Sequence, residues 1–335
     1  MAKKLKGKKA RAKSTSPGTH IPADMQEAIE TFFRKSEGIV NAFAADIEKE
    51  PPPPMIYQYT NDVGLRGILE NGKLWFTDIF NLNDPAELKH GISSAVKIIS
   101  AKIDEERPEI GQFSNNLSAM LQGAIEETAH YFVCCFSKAG DDLGQWRAYA
   151  DNGRGYAIGF EAKMLEQAFA NATPGPGRMT FPITYGEEKL REIHQEIIDE
   201  VLPLISKPRG RDLPGESIND YMSELLVNLA VPILRAALFF KHDAYINEQE
   251  YRFFQLFAAG SDIPDIKYRS RPYSLIRYRE FDWRSVAPET MKSITIGPAA
   301  DRALARRFVE DCLRTFHPSP KSVSINQSDI PYRAS

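Results

Sequence analysis

Four runs in the last third of the chain decide the fold: EYRFFQLF (250–257), DIKYRS (265–270), SLIRYREF (274–281) and KSITIGP (292–298). All are rich in β-branched and aromatic residues, the composition of strands. They do not alternate strictly with helices, so a doubly wound parallel sheet is a poor fit. The pattern predicts an α+β domain over residues 55–330, with a mixed, largely antiparallel sheet packed by helices.

Outward from these runs, residues 299–315 read as a helix and KSVSIN (321–326) as a last strand. Upstream, MIYQYT (55–60), KLWFTD (73–78), YFVCCFS (131–137) and GYAIGFE (155–161) read as strands. MTFPITYG (179–186) reads as an edge strand, because Pro182 has no N–H for a second neighbour. Helices are expected at 61–72, opened by Asn61 or Asp62 and closed by Gly72, and at 92–104, 114–129, 142–151, 162–171, 187–206 and 215–240. NLNDPAELKH (81–90) reads as a turn into a helix with Pro85 in its first turn. Between Asp24 and Glu50, Ile29, Phe32, Phe33, Val40, Phe43 and Ile47 recur at helical spacing, with Asp24 as the expected cap. PPPP (51–54) ends that N-terminal helix as a stiff spacer.

The chain has 335 residues, 42% hydrophobic and 26% charged, which are globular values. No run of about 18 apolar residues occurs, and the first twenty residues are basic rather than apolar. Neither a membrane span nor a secretory signal is expected, and the reading is cytoplasmic. Three cysteines, two of them the neighbours Cys134 and Cys135, suit reduced thiols rather than a disulfide framework. There is no C-x-x-C, and the histidines never fall at helical ligand spacing, so no metal centre is expected.

Net charge is −3, unevenly spread. Lys3, Lys4, Lys6, Lys8, Lys9, Arg11 and Lys13 stand in the first twenty residues without an acid, leaving 35 basic against 45 acidic side chains in the rest. Residues 1–22 read as a disordered basic tail able to touch nucleic acid.

Four polar clusters adjoin strands. Tyr57 and Tyr59 share one strand face, as an aromatic core pair or as a platform for a flat ligand. Asn83, Asp84 and Glu87 stand at a turn and first helical turn, where capping alone explains them. Ser137 ends a strand, Trp146 and Tyr149 lie one turn apart, and Arg147 and Arg154 are the nearby cations. Lys241 and His242 end an apolar helix, and Glu248 and Glu250, two apart at the entry of the strand that follows, are predicted to face the same way. A salt-bridged surface edge with Arg252 explains them. So does a cleft in which one acid stabilises a developing cation and the other orients a nucleophile. Phosphate-loop, dinucleotide, nucleophile-elbow and H-E-x-x-H signatures are absent.

The ordered boxes Y-x-Y, FNLNDPAE, C-F-S with W-x-x-Y-A, the strand GYAIGF and EQEYR resemble the bacterial family called domain of unknown function 2971, over about Tyr57 to Gly297. The order of an early aromatic, a serine after a middle strand and Glu-x-Glu before a late strand is more distantly similar to the ADP-ribosyltransferase superfamily. That likeness implies an ADP-ribosyltransferase-like fold and NAD as substrate, with no metal. It places Tyr57 or Tyr59 at the NAD ribose and nicotinamide, and Ser137 at the middle-motif serine. Trp146 and Arg147 fall among the NAD-binding residues, Glu250 becomes the catalytic glutamate, and Glu248 assists acceptor choice. The superfamily usually has Arg or His at the first position, so Arg147 or Arg66 would have to supply that cation. The acceptor is unknown, with nucleic acid favoured by the tail. Two other readings stay open: a nuclease-like site holding Mg²⁺ on Asp84, Glu87, Glu248 and Glu250, and a non-catalytic ligand-binding module.

Overall fold

Alternating apolar residues in YFVCCFS build the strand on which the molecule is organised. In the computed structural model, which describes residues 21–332 except 83–85, 124–128, 173–176 and 259–260, this strand is β3 (Ala129–Ser137). The basic residues 1–20, Asn83 and Asp84 lie outside the described residues, as does the Glu87 side chain.

In chain order the elements are α1 (Ala23–Glu48), β1 (Met55–Thr60), α2 (Asp62–Asn71), β2 (Lys73–Asp78), α3 (Ala86–Ser100), α4 (Pro108–Gly123) and β3. Then come α5 (Leu143–Tyr149), β4 (Tyr156–Glu161), α6 (Ala162–Ala172), β5 (Arg178–Pro182), β6 (Thr184–Tyr185), α7 (Glu188–Ile205), α8 (Gly215–Ala237) and β7 (Phe240–Lys241). The chain closes with β8 (Glu250–Ala258), β9 (Lys267–Arg271), β10 (Ser274–Asp282), β11 (Met291–Ile296), α9 (Arg302–Phe316) and β12 (Ser324–Gln327). The fold is α+β, as the last third of the sequence predicts.

Among the described residues ten strands form one sheet, in the order β12-β11-β4-β1-β3-β2-β10-β9, with β8 also on β3 and β5 on β8. Pairing is antiparallel except for β11 with β12 and, in a separate two-stranded sheet, β6 with β7. Along one edge β3 pairs with β8 over its whole length, from Ala129 with Ala258 to Ser137 with Glu250. The opposite edge is divided: β1 meets it only at Ser137, through Tyr57, and β2 only at Phe132 and Val133. The sheet therefore splits beside residues 134–136. One branch runs through β1 to β12 and the other through β2 to β9.

Alternation along β3 sends Tyr131 and Val133 to one core, and Phe132, Cys134 and Phe136 to the other. The first core is packed by α1, α3, α4, α7 and α8, through residues such as Phe32, Ile99, Phe113, Ile197 and Leu229. The second is packed by α2, α6 and α9, through Leu69, Phe169 and Val309.

Several boundaries move. The helix that NLNDPAELKH was read to open and the one expected at 92–104 are a single helix, α3 from Ala86, and the helix expected at 114–129 is α4, begun six residues earlier at Pro108. Asp24 does not cap α1, whose N-cap is Pro22; its carboxylate instead accepts from Arg211 in the first turn. Asn61 caps α2 through Gly64 N–H, and Gly72 ends it at φ 65°, as read. Pro182 stands in β5, which pairs only with β8, so the expected edge strand is one.

Candidate functional site at the split of the sheet

Where β1 and β2 diverge, a cavity of about 220 Å³ opens over β3. Tyr57 and Tyr59 from β1, Trp75 and Thr77 from β2, and Cys135 and Ser137 from β3 line it. Gln145 and Tyr149 of α5 join them, with Lys241, Tyr245, Glu248, Glu250 and Arg252. Tyr57, Ser137 and Glu250 stand in one row across three adjacent strands, Tyr57 opposite Ser137 and Ser137 opposite Glu250. Directly opposed residues share a face, so residues nearly 200 positions apart meet there.

The two glutamates reach the cavity in a way that strand alternation does not predict. Glu248 ends a 3₁₀ turn (Asp243–Glu248), and Gln249 adopts the left-handed conformation at φ 45° before β8 begins. A non-glycine residue there is uncommon, and it turns the chain so that both carboxylates converge on Lys241. Its Nζ lies 2.6 Å from Glu248 Oε2 and 3.0 Å from Glu250 Oε2. Arg252, which does share a strand face with Glu250, donates from Nε to Oε1 (2.5 Å) and from Nη2 to Oε2 (3.1 Å). Its Nη1 donates to the Leu238 carbonyl. Instead of lying on a surface edge, the ion pair is buried: the Arg252 and Glu250 side chains are 2% and 6% exposed.

Burial drives the Glu250 carboxyl upward, but Arg252, Lys241 and the Cys135 thiol that hydrogen-bonds to it outweigh burial and hold it below the usual carboxylate range. Burial, reinforced by Glu250, pushes the Cys135 thiol well up, so it is protonated at neutral pH. Tyr149 donates to Glu248 Oε1 at 3.2 Å, and its own hydroxyl is pushed up by burial and then by Glu248. Tyr185 accepts from Glu250 N–H at 2.8 Å, and burial raises its hydroxyl to about 12.

Ser137 is almost fully buried and its hydroxyl is committed. It donates to the Glu248 carbonyl (2.7 Å) and accepts from Ala139 N–H (3.1 Å). It therefore fixes the turn that carries Glu248. Tyr59 is tied at both ends of its hydroxyl, donating to the Ala139 carbonyl and accepting from Asp142 N–H, and its ring meets Trp146 edge-on at 4.8 Å. Tyr57 packs on Gly140 and Gly159, where a Cβ would collide with its ring.

Two sequence-selected residues do not line the cavity. Trp146 is fully buried behind Tyr59, with Nε1 donating to Asp141 (2.6 Å), and Arg147 is exposed on the far side of α5. The cations of the site are Lys241 and Arg252, not Arg147 or Arg154; Arg154 pairs with Asp151. Lys241, grouped with these glutamates in the sequence, stands just past α8 in FFKHD, and no spacing rule predicts its ion pairs with glutamates seven and nine residues on. For Arg252, the Glu-x-Arg spacing on a strand was the available signal.

Among the described residues no group of three or more His, Cys, Asp or Glu side chains could hold a metal ion. The pair assigned to Mg²⁺ in the nuclease reading is instead bridged by the Lys241 ammonium. No helix among the described residues is long and apolar enough to cross a membrane.

Residues 145–253, about a third of the chain, match the family described as "Protein of unknown function (DUF2971)". That segment runs from α5 through the first residues of β8, so it holds Tyr149, Lys241, Glu248, Glu250 and Arg252 but not Tyr57 or Ser137. The match supports the family resemblance over this segment and carries no activity with it. No curated protein and no solved structure matches the chain.

Proposed function

We propose that the cavity is the active site of an enzyme of the ADP-ribosyltransferase type, transferring ADP-ribose from NAD to an acceptor. The row Tyr57–Ser137–Glu250 at the open edge of β3 carries this reading. It sets an aromatic ring, a turn-fixing serine and an ionised carboxylate cluster around one hollow, the order that the superfamily resemblance implies.

Cleavage of the nicotinamide–ribose bond develops positive charge on the ribose C1′ and its ring oxygen. A carboxylate beside C1′ stabilises that charge while the acceptor attacks C1′ and nicotinamide leaves. Both carboxylates are hydrogen-bonded at both oxygens, Glu250 by Arg252 and Lys241 and Glu248 by Tyr149 and Lys241, but the Glu248 side chain is 19% exposed against 6% for Glu250. We therefore assign the carboxylate that meets the sugar to Glu248, in place of Glu250, to which the superfamily resemblance gives that role. Glu250 anchors the two cations that set the field around it. The hollow takes the nicotinamide end against Tyr57. Tyr57 occupies the position at which the superfamily usually carries a cation.

Nicotinamide release from NAD by the purified chain, with cell extract as a source of acceptor, tests this. Glu248→Gln should slow release about 100-fold or more, the loss typical of removing one group that stabilises a developing charge. Unchanged release in that variant overturns the assignment. The neutralised ion cluster favours a second reading, a binding module without turnover, and NAD binding with no release in any preparation supports it.

A further inference from the structure

Beyond the cavity, the branch of the sheet that runs from β2 to β9 carries an unusual run of side chains. From Lys267 to Arg279 the sequence KYRSRPYSLIRYR holds five cations and three tyrosines with no acid. Register sorts them by face. Thr77 lies opposite Tyr278, and Tyr278 opposite Lys267; Ile276 lies opposite Arg269, and Ser274 opposite Arg271. Lys267, Arg269 and Arg271 therefore stand on the face that carries Thr77 and Trp75, two residues of the cavity wall. Arg277 and Arg279 turn the other way, to Asp78 and Gln255.

Trp75 joins the two regions. Its indole is 44% exposed, lies 4.6 Å from the Tyr278 ring and sits under the Arg269 guanidinium at 5.3 Å. Arg269 donates to Thr77 Oγ1, and its Nε has no partner among the described residues. Glu280, the carboxylate beside Trp75, is already bridged by Lys73 and Lys267. At the hairpin tip Tyr273 is fully exposed, with φ 62°. Cations on an outer strand also keep it from pairing with other chains, but a half-open indole beneath an arginine does not serve that end. A ring platform flanked by backbone-spaced cations is how proteins hold single strands, with bases on the rings and phosphates on the cations.

We propose that the face formed by Trp75, Lys267, Arg269 and Arg271 binds a single strand of nucleic acid and leads it to the mouth of the cavity. Charge complementarity in a chain of net charge −3 supports this occupant, as does the continuity of the face with the cavity wall. Its corollary, that the strand is the acceptor, rests on the transferase reading; the binding itself does not.

Fluorescence anisotropy with the full chain and a labelled oligothymidine of about 20 nucleotides, without NAD, tests it. Arg269→Ala with Arg271→Ala should weaken binding tenfold or more and reduce the slope of log K against log salt by about 1.4, the share of two phosphate contacts on a single strand. Trp75→Ala should weaken binding about 5- to 100-fold and leave that slope unchanged. Circular dichroism of each variant confirms the fold. Affinities within twofold of the native chain in folded variants overturn the proposal. So does equally tight, equally variant-sensitive binding to polyglutamate or to phosphatidylserine vesicles. A chain that binds the strand through this face yet releases no nicotinamide upholds the surface and sinks only the transferase reading.

Discussion

Replacing Arg252 by Met would remove a guanidinium that makes two hydrogen bonds to Glu250 and one to the Leu238 carbonyl from a site almost closed to water. Solvent does not screen this pair, and Lys241 alone would be left to compensate Glu250. Breaking a buried pair from one side costs about 3–5 kcal/mol. At the usual unfolding entropy per residue that lowers Tm by about 4–7 °C in a chain of this size. Adding Glu250→Gln removes the stranded charge, so the double variant should be less destabilised than the sum of the two singles by about 1–3 kcal/mol. The sign with pH follows from the low carboxyl. A group whose folded pKa lies below its unfolded value contributes stability above the unfolded pKa, about 4.3, and loses it as pH falls toward the folded value. Glu250→Gln should therefore flatten the loss of stability below about pH 4.3. Urea unfolding of the four proteins by circular dichroism gives these quantities. An Arg252→Met cost under about 0.5 kcal/mol, or strict additivity, would refute the buried clamp.

Three further outcomes are expected. His194 is buried, and desolvation lowers its imidazole to about 4, so the unfolded chain takes up a proton below pH 6.5 before the folded chain does. Stability should fall between pH 6.5 and 4, and His194→Leu should flatten that stretch by about 3 kcal/mol in urea unfolding. Gly155→Ala would drive a Cβ into the Thr60 carbonyl and the Ala150 backbone and should cost about 1–3 kcal/mol or more, read as a lower urea midpoint. Trp146→Phe keeps the ring contact with Tyr59 but loses the bond to Asp141, which Ser328 still serves; thermal melts should show a loss of about 1–2 kcal/mol, well below that of Trp146→Ala.

The architecture was legible because local signals agreed with one another: strand composition from residue 250 onward, the Asn61 and Gly72 caps, and the donor missing at Pro182. The start of α4 was missed by six residues although Pro108 at its first position and Glu109 in its first turn mark it. The site was legible in part. Tyr57, Tyr59, Ser137, Glu248 and Glu250 were selected by residue type beside strand ends, and all five line one cavity. What was illegible depends on three-dimensional packing. Lys241 enters only because β7 returns α8 beside the 3₁₀ turn. Trp146 looked like a ligand contact because its one-turn spacing from Tyr149 says nothing about which of the two is buried. Glu248 and Glu250 meet through the left-handed turn at Gln249, whereas period-two alternation had pointed to a shared strand face.

Crystals of the chain grown with NAD give the most direct test. The nicotinamide ring is expected against Tyr57 with the adjoining ribose within contact of the Glu248 carboxylate, and Lys241 undisplaced from between the two glutamates. Dinucleotide bound elsewhere, or an empty cavity under saturating NAD, would contradict that placement.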